Sequence, residues 1–106
     1  MKPISIAMVL AFACGSFTAY AAQRSISQKD KAFSESETSI KIGDTITFVN
    51  DDNISHNIMS NSAGNTFNLG AQSPGSSTSF TFKSAGSVEI SCAIHPRMKL
   101  KVTVNN

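Results

Sequence analysis

Short runs in which apolar and polar side chains alternate restrict the fold of this chain more than any other feature of its sequence. Alternation with a period of two is typical of strands that bury one face, and no segment after residue 21 keeps the period of an amphipathic helix. Turn-forming stretches separate the runs. The sequence therefore predicts an all-β fold, a β-sandwich of about seven to eight short strands. The predicted strands lie at 25–29, 40–42, 46–48, 66–69, 80–82, 88–92 and 98–104.

The first 21 residues have a different character from the rest. Lys2 gives a positive start, residues 4–17 carry no charge, and Ala19 and Ala21 form an Ala-x-Ala cleavage pattern. This is the order of parts in a secretory signal peptide, and the apolar stretch is shorter than the roughly 20 residues of a membrane span. We predict a signal peptide at 1–21, cut after Ala21 or, as the second choice, after Ala22. The protein is then expected in the periplasm.

Length and charge exclude several classes of protein. The chain has 106 residues and a net charge of +2, which becomes +1 when Lys2 leaves with the leader. Such a chain holds one small domain, here 22–106, and lacks the basic excess of a nucleic-acid-binding domain. We expect a monomer with no nucleic-acid partner and no stable insertion in a membrane.

The two cysteines lie in different parts of the predicted protein, Cys14 in the leader and Cys92 in the exported domain. Cys14 belongs to the predicted leader, where lipidation of its thiol is a weaker alternative to ordinary cleavage. Cys92 then remains alone in an oxidising compartment and has no partner for an internal disulfide. A lone exported thiol needs a function that occupies its sulfur.

Soft metal ligands cluster around this cysteine. Cys92, His95 and Met98 are spaced C-x2-H-x2-M between two predicted strands, and His56 follows an earlier strand. Two His and one Cys with a distant axial Met form the ligand set of blue-copper electron-transfer sites. Ordinary core packing is the alternative role for Cys92 and Met98, and a loop position is the alternative for His56. Met59 is interpreted as a packing residue.

These residues resemble the cupredoxin family, and within it the amicyanins most. The C-x2-H-x2-M spacing is the short form of the cupredoxin ligand loop, and the resemblance covers 25–104. It implies a Greek-key β-sandwich and one type 1 copper ion bound by His56, Cys92, His95 and Met98. It also implies that the Asn57 N–H donates to the Cys92 sulfur. The remaining matching motif is Ile40-x-Ile42-Gly43-Asp44-Thr45-x-Thr47-Phe48-x-Asn50.

One departure from the amicyanins concerns the second residue after the cysteine. Amicyanins have Pro at that position and this chain has Ile94. Because Pro lacks a backbone N–H, Ile94 offers the Cys92 sulfur a second donor beside Asn57. Hydrogen bonds to this sulfur tune the reduction potential. We hypothesise that Ile94 raises the potential relative to a Pro variant.

A candidate partner surface lies beside the ligand loop. The resemblance places His95 at the exposed end of the protein, inside an apolar patch. Neighbouring basic side chains are expected to steer an acidic redox partner towards it. Lysines that protect an exposed strand from aggregation are the simpler alternative. The predicted surface comprises Pro96, Arg97, Lys99 and Lys101.

The function predicted from all of this is single-electron transfer by Cu(II)/Cu(I) cycling, without catalysis. The resemblance implies redox proteins as partners, such as a quinoprotein amine dehydrogenase and a c-type cytochrome. A periplasmic copper chaperone or sequestration protein is the alternative. It is disfavoured because such proteins tend to have Met or His tracts, and the chain after residue 21 has two of each.

Overall fold

The computed structural model describes residues 22–106, so the predicted signal peptide, with Cys14, lies outside the described residues. Nine strands make up the described chain, and it contains no helix long and apolar enough to cross a bilayer. In chain order these strands are β1 (Gln23–Lys29), β2 (Ala32–Phe33), β3 (Glu37–Lys41), β4 (Thr45–Asn50), β5 (His56–Ser62), β6 (Asn65–Gln72), β7 (Ser77–Thr81), β8 (Gly86–Ser91) and β9 (Lys99–Asn105).

The strands form two sheets. One has the order β2-β1-β4-β7 and the other β3-β9-β8-β5-β6. β1 runs parallel to β4, and β3 runs parallel to β9, while the other neighbouring strands are antiparallel. The predicted all-β sandwich is confirmed, with nine strands in the described residues rather than seven or eight.

The inner faces of the two sheets form one hydrophobic core. Alternate residues of each strand point into it, because successive side chains lie on opposite faces of a sheet. In β8, Val88 and Ile90 are buried between exposed neighbours, as predicted. Ile42 is the exception, because β3 ends at Lys41 and the Ile42 side chain is 42% exposed. The core cluster consists of Ile26, Ile40, Ile46, Phe48, Ile58, Phe82, Val88, Ile90, Leu100, Val102 and Val104.

Two strands have no counterpart in the prediction. β2 has only two residues and forms a hairpin with β1 through a turn at Asp30 and Lys31, both with positive φ. β5 lies between β8 and β6, and it begins with the polar pair His56 and Asn57, both buried. Burial does not alternate along β5, because its first two residues, although polar, are both buried. Alternation therefore could not reveal this strand.

Candidate metal centre

Strand pairing brings the predicted ligands to one end of the sandwich. His56 begins β5, whereas Cys92 directly follows β8. The two strands are antiparallel, with Met59 opposite Ser91, so the start of β5 lies beside the end of β8. His95 lies in the 92–98 loop between β8 and β9, and Met98 directly precedes β9. Three of the four ligands thus come from one loop and the fourth from a neighbouring strand.

Three ligand atoms face one another in a small triangle. His56 Nδ1 lies 3.2 Å from His95 Nδ1, and Cys92 Sγ lies 3.9 Å from the first and 3.8 Å from the second. The circle through these three atoms has a radius of about 2.1 Å. Bonds from a first-row metal ion such as zinc measure about 2.0–2.1 Å to imidazole nitrogen and about 2.3 Å to thiolate sulfur. The triangle therefore fits one metal ion at its centre.

Met98 completes the ligand set predicted from the sequence. Its side chain is buried, and its backbone N–H donates to the His95 carbonyl across 2.9 Å. Although buried, Met98 is not part of the core cluster that continues along β9 from Leu100. A thioether is a soft ligand that suits copper and binds zinc poorly. The donor set therefore fits copper, with the axial role of Met98 still a prediction.

The Cys92 sulfur accepts a hydrogen bond from the Asn57 backbone N–H across 3.2 Å, as the resemblance implied. The Asn57 side chain extends this link, because its Oδ1 accepts from the Ala93 N–H and its Nδ2 donates to the Gly70 carbonyl. Gly70 lies at a bulge between β5 and β6, with φ +83°. Such a conformation is easy only for glycine, and bulges often adjust side chains beside a site.

In the described residues, the Ile94 N–H does not form a second hydrogen bond to the Cys92 sulfur. Among residues 22–106, the backbone N–H found in hydrogen-bonding geometry with the Cys92 sulfur is that of Asn57. The Ile94 side chain is 52% exposed. Its proposed effect on the potential stays a prediction.

Asp52 is not among the residues predicted from the sequence, and the structure adds it as a functional candidate. Its Oδ2 lies 2.9 Å from His56 Nε2 and also accepts the Lys31 backbone N–H across 2.9 Å. These bonds, first that of Lys31 and then that of His56, lower the pKa of Asp52 to about 2. The carboxylate holds the proton of His56 on Nε2, which leaves the Nδ1 lone pair for a metal. The sequence offers one signal for this role: Asp52 lies in a short loop, four residues before the predicted ligand His56.

Buried Asn50 fixes the loop that carries Asp52. Its Nδ2 donates to the carbonyls of Ile54 and Gln72, each across 2.9 Å, and its Oδ1 accepts the Asp52 N–H. Both ends of the 51–55 loop are therefore tied to one amide. The position of the Asp52 carboxylate against His56 follows from this network rather than from the loop sequence alone.

The surface beside His95 differs in part from the predicted one. A hollow of about 330 Å³ is lined by Ile94, His95, Pro96, Arg97 and Lys31. Lys31 comes from the turn of the β1–β2 hairpin, far away in sequence. It was therefore not predicted.

Two residues of the predicted surface, Lys99 and Lys101, are not among those that line this hollow. Lys99 and Lys101 are on β9 beside Glu89, and Lys99 Nζ lies 3.7 Å from a Glu89 carboxylate oxygen. Their role in partner binding stays a prediction.

The β-sandwich and its buried Cys with two converging His define a small metalloprotein with a site of the type 1 copper kind. A sequence model described as copper-binding proteins of the plastocyanin/azurin family matches residues 20–105. The chain belongs to this family.

Individual relatives agree with that assignment. The chain is 37% identical over 65 residues to the methylamine utilization protein MauL of Methylorubrum extorquens, covering 60% of this chain and 57% of that protein. It therefore spans little more than half of that relative. The amicyanin of Paracoccus versutus shares the fold with a TM-score of 0.71 and 26% identity over 86% of this chain and 87% of that chain. A purple cupredoxin from Nitrosopumilus maritimus gives a TM-score of 0.69 and 26% identity over 77% and 99%.

Proposed function

We propose that this protein is an exported carrier of single electrons that works in the periplasm. The observation that carries the proposal is the triangle of His56, Cys92 and His95, with His95 half-buried beside a surface hollow. When bound there, copper supplies a one-electron couple between Cu(II) and Cu(I). The leader predicted at 1–21 supports the location.

The protein contributes a site that changes little when an electron arrives. His56 is held by Asp52, and the Cys92 sulfur is held by Asn57, so both ligands are fixed from outside the site. The His56 and Cys92 side chains are almost inaccessible to water. A rigid, dry ligand set keeps the reorganisation on electron transfer small, since neither solvent nor loops must move.

Electrons are proposed to enter and leave through the His95 side of the site. Ile94 and Pro96 give this surface an apolar centre, while Lys31 and Arg97 add two positive charges at the same hollow. An acidic redox protein with an apolar contact patch fits this arrangement, since complementary charge speeds encounter. The resemblance to the amicyanins suggests an amine dehydrogenase and a c-type cytochrome as partners.

The decisive experiment adds Cu(II) to the purified, exported protein and records its visible spectrum. An intense thiolate-to-copper band and a reversible one-electron couple are expected. Cys92→Ser should abolish the band, whereas Met59→Leu is the matched control and should retain it. A colourless product would refute the type 1 site. Rapid transfer of copper to an acceptor without a reversible couple would favour the chaperone alternative.

Charge substitutions test the docking surface. In Lys31→Gln/Arg97→Gln, we expect the electron-transfer rate with an acidic partner protein to fall at low salt, because both charges flank His95. Lys99→Gln/Lys101→Gln is the control pair on β9. Stopped-flow rates measured at low and high salt would reject this surface if both pairs behaved alike.

A further inference from the structure

A second hydrogen-bonded carboxylate, that of Asp44, lies at the other end of β4 from the metal centre. Asp44 directly precedes β4 and is 9% exposed. Its Oδ1 accepts the Ala22 backbone N–H across 2.9 Å, and its Oδ2 accepts the Lys41 N–H across 2.9 Å. A hollow of about 450 Å³ adjoins these groups, lined in part by Ala22, Lys41 and Asn105. The Lys41 bond closes a local turn, whereas the Ala22 bond reaches back 22 residues.

Ala22 is attached to this end of the sandwich through both of its backbone groups. Besides donating to Asp44, it accepts the Thr45 N–H at its carbonyl across 3.0 Å. The parallel pairing of β1 with β4 begins one residue later, at Gln23 and Thr45. A chain that starts at Ala22 retains both bonds, and a chain that starts at Gln23 loses both. The two predicted cleavage points therefore leave mature chains that differ in these two bonds.

We propose that Asp44 is the receptor for a new N-terminus, the α-ammonium group that forms on Ala22 when residues 1–21 are removed. This inference rests on the export part of the proposed function. An export peptidase adds water across the Ala21–Ala22 peptide bond. The leader leaves with a carboxylate on Ala21, and Ala22 keeps the amine, which takes up a proton at neutral pH.

Processing changes the chemistry of the contact with Asp44. Before cleavage, Ala22 offers one neutral N–H, and after cleavage it offers three donors and a positive charge at the same place. The Asp44 carboxylate already accepts a charge-assisted hydrogen bond before cleavage, and cleavage adds the attraction of an ion pair. The other charges acting on Asp44 are those of Lys41 and Arg24, and Arg24 lies 3.7 Å from Glu35. Removal of the leader would therefore strengthen the start of β1, so the exported form is the more stable one.

The first test expresses the full chain in a bacterium that exports it and determines the N-terminus of the purified protein by intact mass. We expect the mass of 22–106. A mass beginning at Gln23, or retention of residues 1–21, would overturn the proposal.

The second test asks whether the new charge stabilises the fold through Asp44. Selective acetylation of the α-amine should raise the unfolding equilibrium constant by about fivefold, the upper end for an exposed ion pair. In Asp44→Asn, acetylation should have little effect. An extra Gly before Ala22 displaces the ammonium in an otherwise unchanged protein and should mimic acetylation, which provides a test that does not depend on the folding of Asp44→Asn.

Equal effects of acetylation with and without the Asp44 carboxylate would overturn the proposal, as would a Gly-extended protein of unchanged stability. The blue band of the copper form serves as an independent readout. It should be the same in all of these proteins, because Asp44 contacts no predicted ligand. Loss of electron-carrier behaviour with the acetylation effect intact would refute the proposed function and leave the role of Asp44 standing.

Discussion

Two aspartates flank β4, and the comparison between them separates function from fold. Asp44 precedes the strand and Asp52 follows it, so about 20 Å of strand lies between them. Each accepts a backbone N–H from the β1–β2 region, from Ala22 and from Lys31 respectively. The remaining bonds of Asp44 go to backbone, whereas Asp52 also binds the side chain of His56. A carboxylate that holds only backbone stabilises the fold, while one that holds a ligand also tunes a metal site.

Removal of copper, which is proposed to bind at the Asp52 end of β4, should have the largest effect. The copper form is expected to melt higher than the apoprotein, because the ion binds the folded state preferentially. Free copper at 1,000 times Kd contributes about 4 kcal/mol, which for a domain of this size corresponds to roughly 15 °C or more. Calorimetry of both forms measures the difference. Copper should not shift Tm in Cys92→Ser, and equal melting temperatures of the wild-type forms would contradict the expectation.

Replacement of each aspartate by asparagine tests the comparison directly. In Asp52→Asn we expect about 10- to 100-fold weaker copper binding, as for other partners of metal ligands. The potential should rise, because loss of a negative charge beside the site favours the lower oxidation state. Each tenfold loss that affects Cu(II) alone corresponds to about 59 mV.

Asp44→Asn is the matched control for this substitution and should leave both copper affinity and potential unchanged. Redox titration and competition with a copper chelator measure the two quantities. An equal shift of the reduction potential in both variants would contradict the expectation that Asp52, and not Asp44, affects the metal site.

The contribution of Asp44 to the free energy of unfolding should decrease at acid pH. Hydrogen bonds from the Lys41 and Ala22 backbone N–H groups hold the pKa of Asp44 below its ordinary value of 3.8. A lowered pKa in the folded state contributes stability that is fully present above the unfolded value and is lost as pH falls through the folded one. The advantage of wild type over Asp44→Asn in urea unfolding should thus be constant above about pH 5 and shrink below it. A constant difference down to pH 2 would contradict the assignment.

The smallest effect is expected from Ile94→Pro at the metal end. If the Ile94 N–H contributes to the field at the Cys92 sulfur, its removal should lower the potential. We expect a small decrease, since the structure assigns the observed bond to Asn57. Voltammetry of the variant beside wild type measures it. An unchanged or raised potential would refute the Ile94 hypothesis.

Local sequence determined much of the fold. Alternating residues identified seven of the strands, because one buried face imposes a period of two wherever it occurs. The spacing of Cys92, His95 and Met98 identified the ligand loop, since three soft ligands within seven residues can converge without knowledge of the rest of the fold. The strand that carries His56 escaped detection because its first residues are polar and buried.

Only the tertiary structure decided which distant groups support the site and the chain start. Asp52 became a candidate only when the fold placed its carboxylate against His56 and the Lys31 N–H. The β1–β2 hairpin places Lys31 at the His95 surface, and the β1–β4 pairing places Ala22 beside Asp44. Alternation and ligand spacing arise between near neighbours in the chain, so they can be read from the sequence. Lys31 and Asp52 are 21 residues apart, Ala22 and Asp44 are 22 apart, and Lys31 is 64 residues from His95, so these groups meet only once the strands have paired.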